Sequence, residues 1–258
     1  MEEENISFEP SSDAMMMDVN FDFLDPRPEF SLCIRNFLYS LFDYRCPISQ
    51  LADLICNQEI GTFLVADNGE KPEDNILGFI TIVNLSAPSD ISSYLMNYLS
   101  SKGDISITNN HRVGFLICER IVNLPIELIP VLHNQLVEDV NWAIEKFPQA
   151  YAQYDFIISL SKCVNLMNNS GKGRKKRRLA APESQLYFRL EDEILLKYSE
   201  ESFTFDAEAG AGVPKRDAMP TTDDSVSNKL VMVLRWENYL NALQEISKTY
   251  TNNTMNLE

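Results

Sequence analysis

Between His111 and Pro125 the chain reads HRVGFLICERIVNLP. From Val113 to Cys118 the apolar residues run on without a polar alternate. A strand with one wet face alternates apolar and polar residues; a strand covered on both faces does not. The stretch therefore predicts a central strand in a sheet flanked by helices. A long amphipathic helix is expected next, because Leu132, Leu136, Val140, Ala143, Ile144 and Phe147 fall on one apolar stripe. Pro130 suits its first turn, where a missing N–H costs little. The following segment, YDFIISLSKCV (Tyr154–Val164), reads as another interior strand.

Upstream, VNFDF places Val19, Phe21 and Phe23 on one face of a short strand. Phe30, Ile34, Phe37, Leu38, Leu41 and Phe42 then recur at helical spacing, and Ile48, Leu51, Leu54 and Ile55 repeat the pattern after Pro47. Gly61–Asp67 and Ile76–Ser86 bracket a polar turn and predict a strand pair. Pro88–Ser101 predicts a helix. Downstream, PESQLYFRLEDEILLKYS spaces Leu186, Leu190 and Ile194 four apart and predicts a helix. Strands are expected at Ser202–Asp206 and Lys229–Trp236, and ENYLNALQEISKTY gives the closing helix. Strands and helices interleave without a linker, which predicts one α/β domain on a mixed sheet over residues 18–250. An acidic, disordered tail is expected at 1–17, a basic loop at 165–182, an acidic loop at 207–228 and a C-terminal tail at 251–258.

Composition narrows the function classes. The chain has 258 residues and a formal net charge of −16. Such acidity repels phosphates over most of the surface, disfavours general nucleic-acid binding and suits a basic protein partner or plain solubility. No apolar run approaches the ~18 residues of a membrane span. The start, Met-Glu-Glu-Glu, lacks the basic-then-apolar pattern of a secretory signal. The five cysteines are Cys33, Cys46, Cys56, Cys118 and Cys163, with no Cys-x-x-Cys pair. With His111 and His133 far apart in sequence, no metal site is expected, and the thiols read as reduced. His133 reads as exposed or interfacial, and Glu191, Asp192 and Glu193 as a solvated acidic face or a contact for a basic partner.

The acidic chain carries one dense basic run, Gly171–Arg178 (GKGRKKRR), in which six of eight residues are cationic. Its glycines make no phosphate cradle, because no Ser or Thr follows a lysine on a strand-to-helix turn. It has no interleaved aromatic residues to stack on bases. Lys172, Arg174, Lys175, Lys176, Arg177 and Arg178 fit a nuclear-import signal, read by an import receptor. A solvated charged loop is the plainer alternative.

The order of elements resembles the acyl-CoA-dependent N-acetyltransferase fold. In that fold an Arg/Gln-x-x-Gly-x-Gly/Ala turn after the fourth strand opens onto a helix. Its glycines and the free N–H groups of the helix start receive the pyrophosphate of coenzyme A. The matching turn here is RIVNLP. Arg120 is in place, but Asn123 and Pro125 stand at the two glycine positions. No cofactor is expected, and an acyltransferase with a degenerate coenzyme A loop is the alternative reading.

Several blocks together resemble the BCCIP family, which includes the fungal Bcp proteins. They are VNFDF, ILGFITIVNLS, VGFLICERIVNLPIELIPVLHNQL, YDFIISLSK, the basic loop, FRLEDEILLKYSEESFTFD and KLVMVLRWENYLNALQEI. They span nearly everything from Val19 to Lys248. The resemblance implies a non-enzymatic nuclear protein with an acetyltransferase-like fold. For the fungal members it implies nuclear export and chaperoning of a basic large-subunit ribosomal protein. The acidic contacts for such a partner are expected at Glu2, Glu3, Glu4, at Glu191, Asp192 and Glu193, and at Asp217, Asp223 and Asp224.

Overall fold

The computed structural model describes residues 20–43, 45–67, 71–107, 110–165, 185–206 and 227–251. The basic run Lys172–Arg178, Asp217, Asp223, Asp224 and the terminal tails lie outside these residues. In chain order the elements are β1 (Asn20–Leu24), α1 (Ser31–Leu41), α2 (Ile48–Cys56), β2 (Thr62–Asp67), β3 (Ile76–Asn84), α3 (Asp90–Lys102), β4 (Val113–Arg120) and α4 (Leu128–Lys146). Then come β5 (Phe156–Asn165), β6 (Gln185–Tyr187), α5 (Glu191–Tyr198), β7 (Glu201–Asp206), β8 (Ser227–Arg235) and α6 (Trp236–Thr251).

The eight strands form one mixed sheet in the order β1-β2-β3-β4-β5-β8-β7, with β6 paired to β5 off that path. Among the described residues only β4 and β5 run parallel. They are joined through α4, the long connection that a parallel pair requires. Successive side chains of the interior strands point to opposite faces. Phe115 and Ile117 enter the core beneath α1, α2 and α3, whereas Leu116 and Cys118 enter the core beneath α4, α5 and α6. Both faces of β4 are therefore dry, which explains its unbroken apolar reading. Truncating a fully buried ring such as Phe115 to Ala costs about 3–5 kcal/mol.

Local signals agree with this placement. Ser89 caps α3 by accepting a hydrogen bond from Ser92 N at 3.0 Å. Pro130 sits in the first turn of α4. Phe147 lies just beyond that helix and is half-exposed.

The expected helix over PESQLYFRLEDEILLKYS is corrected. Its first part is β6, which pairs Tyr187 with Cys163 and Gln185 with Asn165, and only Glu191–Tyr198 is helical. Leu186 and Leu190 are exposed while Ile194 is buried, so the spacing that suggested one stripe spans two elements. The open edge of β5 outcompeted the helix, since β6 lies on the side of β5 opposite β8, where β4 no longer pairs.

Candidate functional site where two strands part

β4 and β5 pair only from Val113 with Phe156 to Leu116 with Ser159. Beyond that point no ladder pair joins them among the described residues. A notch opens between the end of β4 and the middle of β5, and Arg189 fills it. Its side chain is almost fully buried. Nη1 donates to the Cys118 carbonyl at 2.9 Å and Nη2 to Ser159 Oγ at 3.1 Å. Nε and Nη2 also grip Asp192 at 3.0 and 2.6 Å. A backbone parted inside a core leaves polar groups that need partners, and one guanidinium with its five donors supplies them.

A second ion pair lies beside the first. Arg120 holds Glu191 with both arms, Nη1 to Oε1 at 2.5 Å and Nη2 to Oε2 at 2.7 Å. Gly78, its ladder partner, makes the room: a Cβ there would stand 2.6 Å from the Arg120 Cβ. Burial alone would raise the Glu191 pKa. The nearby His133 imidazole and the Arg120 and Arg189 guanidinium groups outweigh it and hold the carboxyl well below the usual range. Asp192 goes the other way: burial raises its pKa, against the pull of Arg189.

Glu191 and Asp192 are wholly buried, which corrects the expectation of a solvated or partner-facing acidic cluster. They head α5, where a carboxylate is favoured by the helix dipole, and each is spent on an arginine. Only Glu193 is exposed. It lines an open groove of about 660 Å³ with Leu186, Tyr187, Leu190, Leu196 and Lys197.

His133 is also corrected. It is buried, with Nδ1 sharing a 2.8 Å hydrogen bond with the Tyr239 hydroxyl and Nε2 standing 3.8 Å from Glu191 Oε1. The ligand atoms of Cys118, His133 and Glu191 all lie within 4.8 Å of one another, a cluster that the sequence spacing hid. The residues do not fit a metal. Arg120 Nη1 is 3.7 Å from Cys118 Sγ and 2.5 Å from Glu191 Oε1, so a guanidinium stands in the cation's place. Burial also pushes the Cys118 thiol up to about 11, which keeps it protonated.

The turn RIVNLP, read from the sequence as a degenerate match to a coenzyme A loop, follows directly. Asn123 and Pro125 are exposed, and Arg120 faces inward to Glu191. At the start of α4, Leu128 N bonds back to Pro125 O at 3.1 Å and Ile129 N to Ile126 O at 3.2 Å, and Pro130 has no N–H. The donors that would receive a pyrophosphate are consumed or missing. The cleft over this turn, lined by Arg120, Val122, Leu124, Ile129, Lys162 and Phe188, holds only about 100 Å³.

A further polar cluster sits toward α1. Lys162 Nζ binds Glu119 at 2.7 Å and Ser40 Oγ at 2.9 Å, and Lys229 Nζ donates to Ser40 O at 2.6 Å. Burial, then the charge of Lys162, pulls the Lys229 pKa down to about 8.

Arg189 had not been singled out from the sequence. The available signal was charge beside charge: Arg189 stands just ahead of a helix headed by carboxylates, one of them three residues on, and such a group can meet its partners inside the fold.

Comparison with known proteins places these features in context. The family model described as BCCIP matches residues 16–195. Protein bcp1 of Aspergillus oryzae is 29% identical over 212 residues, covering 74% of this chain and 72% of that protein. Protein bcp1 of Schizosaccharomyces pombe is 27% identical over 207 residues, covering 70% and 72%. The Protein BCCIP homolog of Arabidopsis thaliana is 27% identical over 256 residues, covering 89% and 73%. The crystal structure of BCP1 from Saccharomyces cerevisiae shares the fold, with a TM-score of 0.59 at 21% identity over 92% of this chain and 93% of that one.

Proposed function

The chain belongs to the BCCIP family, and from that membership we propose that it is a non-catalytic nuclear binding protein. In this reading it escorts a basic ribosomal protein of the large subunit and serves as an adaptor in nuclear export and ribosome biogenesis. The observation that carries the reading is charge. The chain stands at −16 overall, and at −22 with the six cations of Lys172–Arg178 set aside. A basic ribosomal protein without its RNA needs an anionic partner that screens it, and complementary fields speed the encounter.

The non-catalytic part of the reading is supported by a separate point. The acid–base groups at the strand notch are all bound to one another: Arg120 to Glu191, Arg189 to Asp192 and His133 to Tyr239. A catalytic group must reach a substrate proton, and these are sealed in the core. On this reading the α/β fold serves as a scaffold, and at the turn after β4 the Leu128 and Ile129 N–H groups are already bonded.

Titration of purified chain with basic large-subunit ribosomal proteins at low and physiological salt tests the escort role. Saturable binding that weakens with salt is expected. No binding below the micromolar range at physiological salt would overturn it.

A further inference from the structure

A separate cleft lies away from the strand notch, between α4 and the ends of β1 and α2. It measures about 470 Å³ and is lined by Asp25, Pro26, Gln58, Glu59, Gln135, Glu138, Asp139 and Trp142. One wall is a stripe of α4: Gln135, Glu138, Asp139 and Trp142 stand at i, i+3, i+4 and i+7, flanking the apolar stripe of Leu132, Leu136, Val140 and Ala143. The other wall is the chain after β1 and after α2.

Carboxylates alone would make only a solvated face. Two further features set this cleft apart. The Trp142 ring is 45% exposed over it, braced edge-on by Phe147 at 5.6 Å between ring centroids. An exposed, fixed indole beside carboxylates is the environment that a lysine or arginine side chain fits, with its stem on the ring and its charge on the acids. In addition, β1 is an edge strand: among the described residues it pairs only with β2, and its chain runs directly into Asp25. An open edge is a template for an extended peptide.

Every charged residue lining the cleft is an acid. The cation nearest in sequence, Arg27, is turned onto the Phe30 ring at 5.8 Å. Asp139 is tied to Thr62 Oγ1 at 2.9 Å and Gln135 Nε2 at 3.3 Å, and burial, with a smaller push from Asp25, raises its pKa. A cation in the cleft would relieve that strain.

We propose that this cleft is the docking site for an extended lysine- and arginine-rich segment of a protein partner, seated against Trp142, Glu138, Glu59 and Asp25. The assignment rests on the escort reading above and locates it on the surface.

The test is fluorescence anisotropy of the full chain with a labelled oligo-arginine peptide and with a basic ribosomal protein. Three variants use positions at the surface, all exposed except the half-buried Glu73. Glu59→Gln/Glu138→Gln removes two charges from the cleft, Glu73→Gln/Asp74→Asn removes two charges elsewhere, and Trp142→Ala removes the ring alone. The cleft pair should weaken binding by at least about fivefold and the control pair by less than about twofold. Trp142→Ala should weaken it by about two- to fivefold at unchanged net charge.

If the wild type binds neither probe, the escort reading itself fails. If the wild type binds and the cleft pair matches the control pair, or Trp142→Ala has no effect, only the cleft assignment is overturned. Calcium chloride and sodium chloride at matched ionic strength should compete equally. Selective displacement by calcium that the cleft pair abolishes would make this a metal site and refute peptide docking.

Discussion

Replacing Arg189 with methionine leaves Asp192 buried with no countercharge. The wild-type guanidinium makes two hydrogen bonds to that carboxylate and one each to the Cys118 carbonyl and Ser159 Oγ. Breaking one partner of a buried pair costs about 3–5 kcal/mol, because the remaining charge keeps its desolvation penalty. For a chain of this size, a loss in that range lowers Tm by roughly 10 °C. Burial already raises the Asp192 pKa, and loss of Arg189 raises it further. A carboxyl whose folded pKa exceeds its unfolded value is fully tolerated below the unfolded value and costs stability as pH rises through the folded one. The deficit of Arg189→Met should therefore be smaller at pH 5 than at pH 7.5.

Adding Asp192→Leu should recover most of the loss, since an apolar pair can replace a buried ion pair at little cost. Differential scanning fluorimetry at both pH values reads wild type, the single variant and the double variant. A Tm drop under about 2 °C for Arg189→Met, less than ~1 kcal/mol, would refute the reasoning. So would a double variant as unstable as the single one, or a deficit equal at the two pH values.

Isothermal calorimetry with acetyl-CoA should give no saturable heat; clear binding would overturn the account of Asn123, Pro125 and the closed turn. Lys229 has a folded pKa of about 8, below its unfolded value, so the unfolded chain binds the extra proton between pH 8 and ~10.4. Wild type should then gain about 3 kcal/mol relative to Lys229→Met as pH rises across that window, in paired urea melts, and a flat difference would count against the buried lysine. Changing Arg174, Lys175, Lys176, Arg177 and Arg178 to alanine should abolish nuclear accumulation of a fluorescent fusion and leave RNA retention unchanged; the opposite pattern would assign the run to RNA.

Much of the fold was legible locally. Val113–Cys118 announced a strand dry on both faces, and Leu132, Leu136, Val140 and Ala143 announced the helix above it. Both readings need only the geometry of one element. The stretch from Pro182 to Ser199 was misread because Leu186, Leu190 and Ile194 satisfy helical spacing by chance. What overrode the spacing was a vacancy along β5, left by a strand far away in sequence. The charged residues misled for a related reason. Glu191, Asp192 and His133 look like surface residues one at a time; Arg189 lies only three residues from Asp192, but Arg120 and the end of β4, which bury the group, reach it only after folding.

The sequence by itself determined the layered α/β plan, the family, the acidity and a turn after β4 without glycines, because periodicity, block order and composition are properties of the unfolded string. Tertiary structure alone decided that β4 and β5 part, that Arg189 fills the gap and that four acids meet a tryptophan at one cleft. Those facts depend on distances between residues such as Asp25 and Trp142, which no local pattern encodes. They arise where packing leaves a backbone group, a charge or a ring that a distant segment must answer.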